Sequence, residues 1–277
     1  MPELISEQLV QNRAKKPSLA NLPRINTTQD VDVLEIVRDT TFITKMQLEY
    51  LCKKRGIVRT RQGFKWRFDR LANSRLLTTL PTPAYPFRGP VYSITRDGLF
   101  VLEQSGRGLT SITSNSEHLA SSKQAHHFLA LNEIMFQFDR SFKVQSYMCD
   151  RVLRSYNMTL ASPLAKDYDA FVTIDRSTLN KAPLNLGVEY EVSLKSEDRY
   201  RDIISALNQE RHVQLVVYFC TSMSMATLLS TKLTPRACHI CFGSHAEFRR
   251  DGAETKILFR QQQETHLVTI KKLIEAI

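Results

Sequence analysis

At 277 residues, with 42% hydrophobic and 24% charged side chains, the chain has the make-up of a globular protein with room for about two domains. No stretch approaches the roughly 20 consecutive apolar residues of a membrane span, and Met1 to Val10 is acidic and amphipathic, unlike a secretion signal. The net charge is +10, and it is unevenly spread: residues 1–110 hold 18 Lys or Arg against 10 Asp or Glu, the remainder 20 against 18. Nine basic residues and one acid, Asp69, lie between Lys53 and Arg75, the electrostatic footprint of a polyanion partner.

Residues 1–28 read as a flexible basic tail carrying Arg13, Lys15 and Lys16. Gln29 or Asp30 opens a helix whose Val33, Ile36 and Val37 share a face. Thr44 is placed to cap a second helix through Leu48, Leu51 and Cys52, which Gly56 ends. A third helix is predicted over about Thr60 to Ser74. Phe64, Phe68, Leu71 and the stem of Arg75 form its apolar stripe, with Arg61, Lys65, Arg67 and Arg70 flanking it. Leu76 to Leu80 reads as a strand, Pro81 to Pro90 as a proline-rich loop, and Val91 to Ile94 as the returning strand. Thr95 caps a short helix through Leu99 and Leu102. Three helices, a hairpin with a long tip and a further helix spell a winged helix-turn-helix over residues 29–104.

Residues 105–116, rich in Gly, Ser and Thr, read as a linker. Beyond them, helices alternate with short apolar strands over residues 117–277. Helices are predicted at Glu117 to Phe138, Ser196 to Asn208, Met225 to Thr231 and Glu264 to Ile277. Strands are predicted at Phe142 to Cys149, Asp169 to Ile174, Leu186 to Lys195, Val213 to Cys220 and Ala237 to Phe242. That alternation implies an α/β layer structure around one sheet, hence an α+β class for the whole chain.

For duplex DNA, phosphate contacts are expected from Lys53, Lys54, Arg55 and the hairpin tip's Arg88. Base-edge contacts are expected from Arg59, Arg61, Lys65 and Arg70, with Arg67 beside them, because arginine bonds guanine in bidentate fashion. Trp66, opposite the apolar stripe, is expected to pack on another element or a partner, the alternative being contact with DNA. In the second half, Asp167 and Asp169 share a strand face, as do Glu189, Glu191, Ser193 and Lys195. An Asp on one strand and Glu-x-Lys on the next is how metal-dependent nucleases hold Mg²⁺. Here Ser193 stands where that lysine belongs, and Lys195 lies two residues further on. A solvated or internally paired acidic face is the competing reading. His126-His127 are read chiefly as packing residues. Cys238 and Cys241, which mimic a zinc pattern with His239 and His245, fall on opposite faces of a strand. The five cysteines, Cys52, Cys149, Cys220, Cys238 and Cys241, are scattered and odd in number, which suits reduced thiols in a cytosol. No phosphate-binding glycine loop, nucleophile elbow or dinucleotide fingerprint is present.

The run His126-His127-Phe128-Leu129-Ala130-Leu131-Asn132-Glu133, then Tyr168-Asp169-Ala170-Phe171-Val172, then Tyr190-Glu191-Val192-Ser193-Leu194-Lys195-Ser196 ahead of Tyr200-Arg201 resembles the bacterial replication-relaxation family over roughly residues 30–225. The resemblance implies a winged helix fused to a degenerate restriction-endonuclease-like core of the PD-(D/E)XK type. It also implies a role at plasmids or other mobile elements, in replication, relaxation or mobilisation of DNA. Asp169 and Glu191 match the family's strand acids. Tyr168 replaces the proline expected before Asp169, and Ser193 replaces an acid the family often carries. The expected partners are therefore double-stranded DNA, a second copy of the chain and a relaxase or similar protein. An active nuclease would use Asp169, Glu191 and Lys195 with Mg²⁺, while a transcriptional regulator shares the DNA-binding features.

Overall fold

The computed structural model describes residues 28–80, 89–116, 124–261 and 264–277. The predicted tail (but for Thr28) and Arg88 lie outside them. The first half opens with helix α1 (Thr28–Thr40), which buries Val33, Leu34, Ile36 and Val37. A two-residue strand β1 (Ile43–Thr44) leads into α2 (Lys45–Lys54). The Thr44 hydroxyl accepts from the Gln47 backbone N–H at 3.2 Å while the Gln47 side chain accepts from the Thr44 N–H at 3.0 Å, so both orphan donors are satisfied reciprocally. Helix α3 (Arg61–Asn73) is capped by Thr60 and buries Phe64, Phe68 and Leu71. Strands β2 (Leu77–Leu80) and β3 (Val91–Ile94) form a hairpin, with β1 on the far side of β3, giving the order β1-β3-β2. Helix α4 (Arg96–Gln104), capped by Thr95, closes this unit.

The second half contains α5 (Ala125–Ser141), β4 (Val144–Cys149), α6 (Asp150–Thr159), β5 (Ala170–Ile174), β6 (Leu184–Glu191) and α7 (Glu197–Gln209). It continues with β7 (Leu215–Cys220), α8 (Met223–Lys232), β8 (His239–Ser244), α9 (His245–Asp251), β9 (Lys256–Gln261), β10 (Glu264–Thr269) and α10 (Ile270–Ala276). Its seven strands form one sheet in the order β10-β9-β8-β7-β6-β5-β4. The pairs β6–β7 and β7–β8 are parallel and the others antiparallel. Alternation along the strands sorts two cores. Leu184, Leu186, Val188, Leu215, Val217 and Phe219 meet α5, α9 and α10 on one face. Val216, Tyr218 and Cys220 meet Tyr200, Ile203 and Leu207 of α7 and Ala226 and Leu229 of α8 on the other. The molecule is thus a mixed α+β structure. No helix among the described residues is long and apolar enough to cross a membrane.

Several expectations are corrected. Residues 264–277 are not one helix: 264–269 pair residue for residue with β9, and only Ile270–Ala276 is helical. The strand predicted to reach Lys195 stops at Glu191, because Glu191 pairs with Cys220, the last residue of β7, and no partner lies beyond. Arg75 leaves the stripe of α3, since the helix ends at Asn73 and Arg75 turns into the left-handed region at φ 58° with its side chain exposed. Helices α6 and α9 and strand β9 were not foreseen. The helix predicted from Glu117 is described from Ala125. Residues 105–116, predicted as a linker, are fastened on both sides. Arg107 pairs with Asp32 at 2.5 Å and Glu35 at 2.8 Å on α1, Ile112 is buried, and the Ser111 hydroxyl donates to the Arg151 carbonyl at 2.7 Å.

Candidate functional site

Two regions gather the side chains singled out in the sequence. The first is α3. Its apolar stripe faces the core, which turns the opposite face to solvent; Arg61, Lys65 and Trp66 of the helix and Arg59 just before it are all exposed. None of the three cations has an ion-pair partner among the described residues. Trp66 joins none of the buried cores, and 58% of it is open to solvent. The second half of α3 is anchored instead. Asp30 of α1, fully buried, receives Arg67 Nη1 at 2.7 Å on one oxygen and the Arg70 guanidinium on the other. The Arg70 guanidinium also lies 4.3 Å from the Trp66 ring centre. Arg67 and Arg70 are therefore committed within the protein, and the base-reading candidates narrow to Arg59, Arg61 and Lys65. Of the phosphate candidates, Lys53 pairs with Glu49 at 2.7 Å and Lys54 with Asp139 of α5, while Arg55 is exposed.

The second region lies where β5 begins and β6, β7 and β8 end. Asp169 sits one step before the Ala170–Val188 pair, which sets it beside Glu189 across the strands, not beside Glu191. One Asp169 oxygen accepts from the Tyr190 backbone N–H at 2.8 Å, and the other is 3.3 Å from His127 Nε2 of α5. Glu189 and Glu191, both buried, each hold a lysine: Lys166 on Glu189 and Lys195 on Glu191. The segment bearing Lys166 is pinned by Glu210, which accepts from the Ala165 N–H and the Tyr168 hydroxyl, both at 3.0 Å. Tyr168 in turn lies over Gly187, where a Cβ would meet its ring at 2.6 Å.

Burial pushes the Glu189 carboxyl up to about 7, against the pull of the Lys166 ammonium. Burial works against the charged form of His127 too, but its hydrogen bond and charge contact with Asp169 outweigh that and raise its pKa. For Asp169 burial opposes ionisation, and the His127 bond, the His127 charge and the Tyr190 N–H together leave its pKa below the usual carboxylate value. Burial lowers the Lys195 pKa. Cys220, at the same strand end, has its thiol pushed up to about 12 by burial, which removes it as a thiolate nucleophile near neutral pH.

Chemically this is a neutralised cluster. A Mg²⁺ site needs carboxylate oxygens turned toward an open position. Here one oxygen of Glu189 holds Lys166, one of Glu191 holds Lys195, and both of Asp169 are engaged, by His127 and the Tyr190 N–H. We derive no step through a cation. Cys241 packs in the α5 face of the sheet and Cys238 against the α7 face, so the two cannot share an ion without rebuilding β8. Sequence reasoning missed Lys166 and the role of His127, and it ranked Glu191 above Glu189. The β5–β6 register, which fixes that choice, carries no local signal. No protein-family model, curated protein or solved structure matches the chain.

Proposed function

We propose that the chain is a duplex-DNA-binding protein whose α3 enters a groove while the α/β half serves as a docking or dimerisation platform. The order α1-β1-α2-α3-β2-β3, with β1 completing a three-stranded sheet, suits a winged helix in which α3 is the recognition element. The observation that carries the reading is a set of exposed cations, Arg59 just before α3 and Arg61 and Lys65 in its first turns, together with the exposed Trp66, none of the cations ion-paired among the described residues. Such a surface is complementary to phosphates and base edges. The α5-β4-α6-β5-β6-α7-β7 succession, with Asp169 and Glu189 at adjoining strand ends, supports a degenerate nuclease-like core. The resemblance to the replication-relaxation family points to a plasmid or phage locus in the bacterial cytoplasm. There the protein would act as a replication, relaxation or mobilisation accessory factor, with a relaxase among its partners, or as a regulator of transcription.

The test is binding of the whole chain to labelled duplexes across a salt series, with Mg²⁺ or Mn²⁺ added in parallel. The expected result is intact DNA bound with an affinity that falls linearly on a logarithmic salt scale, by about 0.9 per phosphate contacted. The double charge reversal Arg61→Glu and Lys65→Glu should weaken binding by on the order of a hundredfold. Unchanged binding in that variant would remove α3 as the interface. Cleavage abolished by Glu189→Gln would replace the platform reading with that of a divalent-metal endonuclease.

A further inference from the structure

Trp66 is the sole tryptophan of the chain, and it stands opposite the buried Phe64, Phe68 and Leu71 stripe of α3. Along a helix its neighbours on the same face are Gln62 and Gly63 one turn before, both exposed, and Arg70 and Asp69 one turn after, the latter paired with Lys45. An indole ordinarily contributes by burial, so one left 58% open by its own fold is kept there by something else. What keeps it there is visible. The Arg70 guanidinium lies against the ring at 4.3 Å and is itself held by Asp30, which is fully buried and also holds Arg67. With Nη2 bonded to the Asp30 carboxylate, the Arg70 guanidinium sits over the indole as a paired and not a free charge.

We infer that Trp66 is a DNA-contacting side chain, oriented by the Arg70–Asp30 pair so that its outer face meets the apolar sugars and thymine methyls of a duplex groove. The inference rests on the DNA-binding reading and adds to it the residue that supplies apolar contact. The charge on the same turns of α3 identifies the occupant. An apolar protein surface broad enough to cover the exposed first turns of the helix would leave Arg61 and Lys65 unpaired. A duplex offers both cations phosphate or base-edge acceptors while the ring finds its apolar strip. Because the platform is fixed before binding, ordering the side chain adds little entropic cost. Arg70 is here a positioning residue, acting through the ring.

A sole tryptophan makes the test direct. Whole protein is titrated with a fluorescein-labelled duplex and the label's anisotropy gives overall binding. Unlabelled duplex is titrated in parallel while the emission of Trp66 is followed. The expected result is a saturable change in indole emission with the same midpoint as the anisotropy. Trp66→Ala should weaken binding by about tenfold, with Trp66→Phe recovering part of it. Arg70→Gln, with its helical content checked by circular dichroism, should raise acrylamide quenching of the free protein's indole and weaken binding by a few fold. If anisotropy reports tight binding while the emission stays constant and Trp66→Ala binds within twofold of the parent, the inference is overturned and the DNA-binding reading stands. If no duplex binds at low salt, both fall.

Discussion

Glu189 and His127 ionise in opposite senses, yet both make the folded chain less stable as pH rises. Glu189 is a carboxyl raised from 4.5 to about 7 by burial, so the folded protein keeps its proton where the unfolded chain has lost it. Stability from that group therefore falls between about pH 4.5 and pH 7, by on the order of 3 kcal/mol in all. His127 is raised above 6.5 through Asp169, so its contribution is fully present below 6.5 and lost as pH rises through the folded value. Asp169, lowered by the same contact, contributes above 3.8 and loses that only as pH falls through its own folded value, outside the window concerned. Urea unfolding of the parent is expected to give a lower midpoint at pH 8 than at pH 5. Glu189→Gln should remove the part of the decline below pH 7, and His127→Gln the part above 6.5. Parallel pH profiles for parent and Glu189→Gln would show that the carboxyl stays ionised beside Lys166. At this scale the sequence was half legible. Asp169 and the acids of β6 announce themselves by two-residue spacing, but which acid faces Asp169 depends on pairing between strands.

Local chemistry wrote the helix starts plainly. Thr44, Thr60, Thr95 and Ser196 each accept a hydrogen bond from the backbone N–H three residues on, as their positions ahead of apolar periodicity predict. The segment 264–277 was misread because Leu267, Ile270, Leu273 and Ile274 recur at helical spacing. Strand β10 forms through its pairing with β9, and Leu267, 56% exposed, joins no core. Non-local pairing overrode a local period. Helix α4 permits a sharp test of how closely elements approach. Gly98 lies in its first turn, and a Cβ there would come within 2.6 Å of both the Leu76 carbonyl oxygen and Ile94 Cγ1. Alanine normally favours a helix over glycine by up to about 1 kcal/mol. Here the carbonyl belongs to backbone that cannot step aside, so Gly98→Ala is expected to destabilise by about 1–3 kcal/mol. A neutral or raised urea midpoint would mean that α4 does not sit against the β2–β3 hairpin in this way.

Across the whole molecule, α5 belongs to both halves. Met135 and Phe136 complete the core of the first half, while Leu131, Ile134 and Phe138 enter the sheet core of the second. Near its start, Ala125 and Leu129 close over Phe42 and Val91. Polar contacts fix the same seam. The Asn132 amide donates to the buried Phe42 carbonyl at 2.8 Å, the Cys149 thiol to the Asp39 carbonyl, and Asp139 holds Lys54. Separating the halves would strip one face of α5 and leave buried polar groups without partners, so a partly unfolded state with one half intact is disfavoured. The chain is expected to unfold in one cooperative transition despite its two-part sequence pattern. Trp66 makes this checkable, since its emission reports on the first half alone while far-ultraviolet circular dichroism reports on both. Coincident denaturation curves are the expected outcome, and Asn132→Ala should shift both together by about 1–3 kcal/mol, because the Phe42 carbonyl then stays buried without its donor. Separated curves would make the halves independent bodies, and the α/β unit would then have no fixed position relative to DNA held by α3.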